Sequence, residues 1–531
     1  MLNLLLFSCA RVGAPNGGTR DSLAPKFLGS NIDTTRLNVS RTVKELRLDF
    51  DEYVMLKDFN KNFNVSPPIK KIKKVIPSNL ANKYVLIQWE DTLQANTTYN
   101  FNFGNAIVDN NESNPLPYFN FAFSTGDKID DLFVSGTVKD AMTLIKENQT
   151  AKDNKMVVGL YKAGENLDYK QKPDYITKVD EENYFELNFL PKGEFVIIAF
   201  DDENQNSVYD AGKEKVSFLK EKITLDSTSV RGLKLKLYPS KKVVKYKESK
   251  AINGGLLMTF EGNPETVDVK SLSEELKDFK VTHAKRSDSV NIWFDAEKSN
   301  LGGTVSKQVK LSYFTPTISD TISVSYKAVK EEFKLSNEAG NLIAPENNFV
   351  INTSLPIENL NTSSWKLESD SIAQDFTAKI SEKNPFKILV NSSFKPTKKY
   401  VLTIPKETVS SYYSSNDKSF QFQFEIDKPE NYGSFTAVIK NKPTAKFWVE
   451  LTNEKGEILY SQFTNASEVS FKNLKPATYI ARIRVDNNGN GFWDEADFAQ
   501  NIAAEDVYIF EKEINVRPLW EIKEDWELIN H

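Results

Sequence analysis

Apolar and polar residues alternate with a period of two at widely separated points of this chain, and that pattern limits its fold more than any other feature. Phe119-Asn120-Phe121-Ala122-Phe123, Ile322-Ser323-Val324-Ser325-Tyr326 and Phe420-Gln421-Phe422-Gln423-Phe424 all show it. Alternation of this kind puts one face of a strand in a core and the other in water. Lys83-Tyr84-Val85-Leu86-Ile87-Gln88-Trp89 is a further β-rich run, and Asn-, Asp- and Pro-rich breaks separate such runs. Long helical periodicity is missing. One short helix is expected from Ser271 to Phe279, with Ser271 capping it and Glu274 three residues on. With 531 residues, 40% of them hydrophobic, the chain holds several domains of roughly 100–200 residues each. The expected class is all-β, a tandem series of β-sandwich modules in an extended multi-domain chain with under about a tenth helix.

Charge and residue inventory narrow the function. The formal net charge of −5 provides no basic field for nucleic acid. Lys70-Lys71-Ile72-Lys73-Lys74 and Lys241-Lys242 are the basic clusters, read as solvated loop or edge-strand charge. Two histidines, His283 and His531, are poor material for a histidine-based hydrolase or metal centre. No Gly-x-Ser-x-Gly elbow and no phosphate-cradling glycine loop occurs. No catalytic residue is assigned. A glycosidase carboxylate pair stays open, because Asp and Glu are spread along the whole chain.

The single cysteine, Cys9, excludes an intrachain disulfide. It closes the apolar run Met1-Leu2-Asn3-Leu4-Leu5-Leu6-Phe7-Ser8, which is too short to span a bilayer. Leu6-Phe7-Ser8-Cys9 resembles the lipobox of bacterial lipoproteins, which implies cleavage before Cys9 and its lipidation; the other reading is a free thiol. No Lys or Arg precedes the apolar run, as a signal peptide has, and a start codon further upstream would account for that. Two or three acyl chains would make a stable anchor where one would not. Residues 10–22, with Gly13, Pro15, Asn16, Gly17 and Gly18, read as a flexible tether.

Residues 23–127 carry Leu46-Arg47-Leu48-Asp49-Phe50-Asp51-Glu52, Asp91-Thr92-Leu93-Gln94-Ala95-Asn96-Thr97-Thr98-Tyr99, Gly104-Asn105-Ala106-Ile107-Val108-Asp109 and a closing Phe123-Ser124-Thr125-Gly126. This module resembles the SbsA-type bacterial Ig-like domain of Bacteroidetes lipoproteins. The resemblance implies a fold and an envelope location, and brings no catalytic residues. Asp109 is read as a turn residue, and Asp51-Glu52 as a solvated strand end. Residues 240–334 and 335–426 form two further Ig-like sandwiches. In the second of these, Phe394 to Tyr400 echoes Leu93 to Tyr99, with a tyrosine six positions after an apolar residue.

A different repeat stands out. Phe185 to Asp210 and Val469 to Asp494 align without a gap at an offset of 284 (486 − 202), so that Leu190 meets Leu474, Phe195 meets Tyr479 and Tyr209 meets Trp493. Leu190-Pro191-Lys192-Gly193-Glu194-Phe195 resembles the strand-turn-strand of transthyretin-like (carboxypeptidase-regulatory) modules, with Gly193 suited to a left-handed turn position. The second copy has Pro476-Ala477 there, so its turn must differ. The two modules cover 131–239 and 430–531.

After each repeat strand, side-chain oxygens fall at alternate positions. Asp486, Asn488, Asn490 and Asp494 do so in one loop, and Asp202, Asn204, Asn206 and Asp210 in the other. Oxygens at positions one, three, five and nine suit a hard cation such as Ca²⁺. Gly491 at position six and Asp497 at position twelve make the Asp486 loop the better match; Ser207 and Lys213 stand at those places in the weaker one. With two charges among the first four ligands, affinity would be weak, on the order of millimolar. The other reading is a hairpin loop held by Asx-type hydrogen bonds. Either gives the loops a rigidifying role.

The expected function is a non-catalytic structural or interaction scaffold, lipid-anchored at the outer membrane and docking another outer-membrane or periplasmic component. A surface glycan-binding or adhesive lipoprotein is the alternative; Trp493 would serve it as a platform, although packing beside its own loop is the simpler reading. An accessory lipoprotein of an assembly or secretion machine is another. By resemblance to exported surface lipoproteins, whose cysteine is followed by an acidic cluster, Ala10-Arg11-Val12-Gly13 favours the periplasmic face.

Overall fold

The computed structural model describes residues 21–144, 155–164, 167–329, 332–338 and 340–528. Cys9 and most of the tether lie outside the described residues. The chain is 51% strand and 1% helix. It divides into two compact units.

The first unit contains the first two modules. In the first, Glu45–Leu56 buries Leu46, Leu48 and Phe50 and turns Glu45, Arg47 and Asp49 outward. This strand lies between Phe27–Ser30 and Asn82–Trp89, with Ile72–Ile76 at the edge and Ile107–Asp109 also paired to it. A second sheet, Asn64–Ser66, Thr98–Gly104 and Phe119–Ser124, supplies Phe101, Phe103, Phe121 and Phe123 to the same core. The lysine cluster falls on the Ile72–Ile76 edge, where Lys71 pairs with Glu90. Asp109, 2% exposed, accepts the backbone N–H groups of Asn111, Glu112, Ser113 and Asn114, so it shapes the turn. Burial pushes its carboxyl up, but these bonds outweigh it and hold the carboxyl below the usual range.

The second module packs the sheet Tyr175–Lys178, Met156–Lys162, Gly193–Asp201 and Val216–Phe218 against Tyr184–Leu190, Leu132–Asp140 and Val230–Leu237. Gly193 lies at φ 154, a positive value that side chains rarely adopt, and Phe189, at a bulge in the strand before the turn, has φ 59. Its partner in the repeat, Asn473, has φ 53. The two copies therefore share the bulge before the turn and differ at the turn itself, where Ala477 is not at the positive φ that Gly193 has.

The second unit holds three further cores. In one, Lys245–Ile252, Gly255–Glu261, Ser289–Trp293 and Lys280–His283 face Asp268–Ser271, Lys307–Phe314 and Ser319–Tyr326. The helix expected at Ser271 to Phe279 does not form. Ser271 pairs with Leu311, and the N–H of Leu272 goes to Lys310 O at 2.9 Å, so the backbone of the expected cap belongs to a sheet. In the next core, Phe349–Thr353 and Asn384–Ser392 face Lys399–Ile404 and Phe420–Ile426. Here the Tyr400 hydroxyl accepts the Lys395 N–H at 2.8 Å, as the Tyr99 hydroxyl accepts the Gln94 N–H at 2.8 Å, so the echo between the two segments is one hydrogen bond made twice. The last core lies between Glu468–Leu474, Gly433–Lys440 and Glu521–Glu527 on one side, and Ile458–Thr464, Phe447–Thr452, Ala477–Val485 and Val507–Val516 on the other.

Candidate functional site

The repeat loops are the feature on which sequence placed chemistry, and each leaves the end of a central strand. In the first, Asp202 is 5% exposed; its carboxylate accepts the N–H of Asn206 at 3.0 Å and of Ser207 at 3.1 Å. The Asn204 side-chain oxygen also accepts the Asn206 N–H, and the Asn206 oxygen takes that of Val208. The Asn204 amide donates to Asp210 at 2.6 Å. The second loop repeats each bond. Asp486 accepts from Asn490 and Gly491, Asn488 from Asn490, and Asn490 from Phe492, while the Asn488 amide donates to Asp494 at 2.6 Å. The backbone repeats too: Gln205 and Ser207, at φ 59 and 61, correspond to Gly489 and Gly491, at 72 and 82.

Beyond this shared frame the second loop is more strongly tied. The Asn490 amide adds a second bond to Asp494, at 2.7 Å. Glu505, 6% exposed, accepts the N–H groups of Asn488 and Asp494 on its two oxygens. Arg286, from the module spanning 240–334, donates to Asp494 at 2.7 Å and to Glu265, and its guanidinium sits 4.7 Å over the Phe492 ring. Trp493 packs beside its own loop: its N–H reaches Glu505 O at 3.1 Å and its ring lies 6.4 Å from Tyr238. Burial pushes Asp494 up, but the Asn488 and Asn490 amides and Arg286 outweigh it and hold it below the usual carboxylate range. Burial leaves Glu505 raised despite its N–H donors.

The structure thus brings together four of the five residues expected at the stronger cation loop. Asp497 lies in the adjoining turn, where its backbone pairs with Ile502 and its carboxylate accepts the Gln500 N–H. The fit to Ca²⁺ is partial. Four side chains converge, but amide N–H groups and a guanidinium already face Asp494, and among the described residues no group of three or more His, Cys, Asp or Glu is placed to hold a metal. Arg286 and Glu505 were missed in the sequence because no fixed spacing ties either to the loop motif. In the basic clusters, Lys241 and Lys242 lie near Glu495, whose carboxyl burial raises and these lysines lower.

Among solved structures, the crystal structure of the S-layer protein rSbsC(31-844) is 12% identical, covering 93% of this chain and 67% of that one at a TM-score of 0.15. The SGBP-B protein of the Bacteroides ovatus mixed-linkage glucan utilization locus, solved with a mixed-linkage heptasaccharide, is 9% identical, covering 74% of this chain and 97% of that one at 0.20. The Bacillus cereus major pilin subunit BcpA is 11% identical over 75% of this chain and 99% of that one at 0.13. A search of the curated proteins returned no match. Among the described residues no helix is long and apolar enough to cross a membrane. The first module matches a family: residues 21–125 fit the model of the bacterial Ig-like domain.

Proposed function

We propose that this chain is a non-catalytic, lipid-anchored envelope scaffold of β-sandwich modules that docks another outer-membrane or periplasmic component. One observation carries the reading: five successive β-sandwich cores occupy the described residues, beginning with the bacterial Ig-like module that follows the Cys9 tether. The resemblance to Bacteroidetes lipoproteins and the lipobox-like Leu6 to Cys9 support the anchor. The shared strand bulge and loop geometry pairs the two repeat modules with each other, and the resemblance of Leu190 to Phe195 to transthyretin-like modules supports that assignment for both. In this reading the acidic loops stiffen their modules, with weak Ca²⁺ at the Asp486 loop as an added constraint.

Two measurements test it. An alkyne fatty acid should label the wild type and not Cys9→Ala, and capture after membrane solubilisation should return one envelope partner. Equal labelling of both chains defeats the anchor. Turnover on a glycan or peptide panel, lost on changing one carboxylate, defeats the non-catalytic assignment.

A further inference from the structure

The strand Ile458–Thr464 forms one edge of the four-stranded sheet in the last module and pairs on one side with Phe447–Thr452. Its sequence, Ile-Leu-Tyr-Ser-Gln-Phe-Thr, has no charge and no proline. Ile458, Leu459 and Phe463 are 45%, 50% and 45% exposed. Edge strands are normally blunted by charge, proline or brevity, because their unpaired N–H and C=O groups invite another strand. The other described edge strands of seven or more residues all carry charge: one acidic residue in Tyr184–Leu190 and in Ser319–Tyr326, and two or more charged residues in Val230–Leu237, Lys245–Ile252, Glu468–Leu474, Val507–Val516 and Glu521–Glu527. Phe119–Ser124 is also uncharged, but its last four residues are buried. A bulge at Leu459 ends the regular ladder, leaving Tyr460 to Thr464 as the straight, open stretch.

A cleft of about 310 Å³ opens beside this edge. Tyr432, Tyr460, Gln462 and Phe471 line it together with Ala344 and Asn347 of the preceding module, and the Gln462 amide spans to Ser470 O of the facing sheet at 2.7 Å, so the cleft lies where this side of the sandwich meets that module. The charged residues lining it are two lysines, Lys472 and Lys475, both exposed. A strand laid along Tyr460 to Thr464 presents alternate side chains toward such a cleft.

We propose that this edge receives an extended peptide segment of a partner protein as an added β-strand, with an apolar side chain in the cleft and acidic residues against Lys472 and Lys475. This rests on the docking role given above and names its surface. A second copy of the chain fits less well, since it would bring its own Lys472 and Lys475 to the same edge.

The test selects a phage-displayed library of random peptides on the full chain. Enriched peptides should alternate apolar and polar residues and carry Asp or Glu at the flanks. A synthetic peptide from that pool should bind about tenfold or more weakly to Phe463→Lys and to the pair Lys472→Glu, Lys475→Glu. The lysine pair is exposed, so an unchanged melting temperature separates lost binding from lost folding. A pool without acidic bias, or equal binding to both variants, overturns the proposal. So does a wild-type dimer in sedimentation that Phe463→Lys abolishes, which gives the edge to a second copy. Either failure leaves labelling at Cys9 and partner capture untouched.

Discussion

In the first copy of the repeat, the sheet face turned away from the module's own core is apolar: Val157, Tyr161, Ile198 and Phe200 are all 4% exposed or less. Gly159 stands opposite Ile198, and a Cβ there would come within 2.4 Å of Pro173. In the second copy Glu450 stands opposite Arg482, the counterpart of Ile198 (482 − 284 = 198), and Arg484 takes the place of Phe200. Glu450 is 0% exposed. One of its oxygens accepts Arg482 through Nε at 2.9 Å and Nη2 at 2.7 Å, and the other accepts Arg484 through Nε at 3.0 Å. Arg484 lies 5.8 Å over Trp448 and 5.9 Å over Trp493, which leaves its charge in contact with ring faces as well. The same sheet therefore tolerates either an apolar cover or a closed ion network on its outer face. What the fold requires is that the face be sealed and every charge paired.

The largest effect should come from breaking that pairing. Glu450→Ala leaves two guanidinium groups without their shared carboxylate, and should cost about 3–5 kcal/mol in chemical denaturation of the full chain. Giving the second repeat an apolar cover like that of the first, with Val rather than a counterpart of Gly159 to fill the space of Glu450, sharpens the comparison. The triple change Glu450→Val, Arg482→Ile, Arg484→Phe should match the wild type or exceed it by about 1–4 kcal/mol, since burial of ions carries a desolvation cost that an apolar cover avoids. A triple variant as unstable as Glu450→Ala would mean that the network, and not the cover, holds this face.

A smaller asymmetry lies in the loops. Gly491 has φ 82 with open space around it, so Gly491→Ala meets backbone strain alone and should lose about 1–2 kcal/mol. Ser207 already bears that strain at φ 61. Ser207→Gly should stabilise by less than about 1 kcal/mol, because glycine also loosens the unfolded chain. Melting of the two variants against wild type checks the order. A Ser207→Gly variant less stable than wild type would show that side-chain bonds of Ser207 outweigh its strained backbone.

Much of this comparison was readable in advance. Period-two alternation located Phe119–Ser124, Ser319–Tyr326 and Phe420–Ile426, and the offset of 284 aligned two loops that prove to share every Asx bond and both left-handed residues. These are local properties, set within a few residues. What escaped was non-local. Glu450, in the run Phe447-Trp448-Val449-Glu450-Leu451, marks the outer face, and alternation alone would put that face in water; its burial depends on what covers the strand. Ser271 had the composition of a cap, and the sheet partner Leu311, forty residues on (311 − 271), decided otherwise. Asp497 kept the right spacing for a twelfth-position ligand, yet Glu505 is the acid that reaches the loop, because the chain turns back at Ile502.

The smallest effect separates the second loop from the first by charge. Arg286 and the Asn488 and Asn490 amides hold Asp494 below the usual carboxylate range. A carboxyl whose folded value is depressed contributes stability that is present above its unfolded value, near pH 4, and is lost as pH falls through the folded value. Asp494→Asn should therefore cost about 1–2 kcal/mol at neutral pH, where a charge-assisted bond is replaced by a neutral one, and progressively less as the solution is acidified below about pH 4. Glu505 acts in the opposite sense. Burial raises its folded value, so its contribution is present below its unfolded value and fades as pH rises through the folded one. The Asp494 charge is itself among the causes that raise Glu505, so Asp494→Asn is compared with its parent in a Glu505→Gln background, which removes that titration and leaves the Asp494 contribution. Combining Asp494→Asn with Arg286→Ala in a double-mutant cycle isolates the ion pair; its coupling should vanish at the same acid limit. A difference that stays constant down to pH 2 would mean that the Asn488 and Asn490 amides close the loop regardless of charge, and that Arg286 is a neighbour of Asp494 and not its counter-ion.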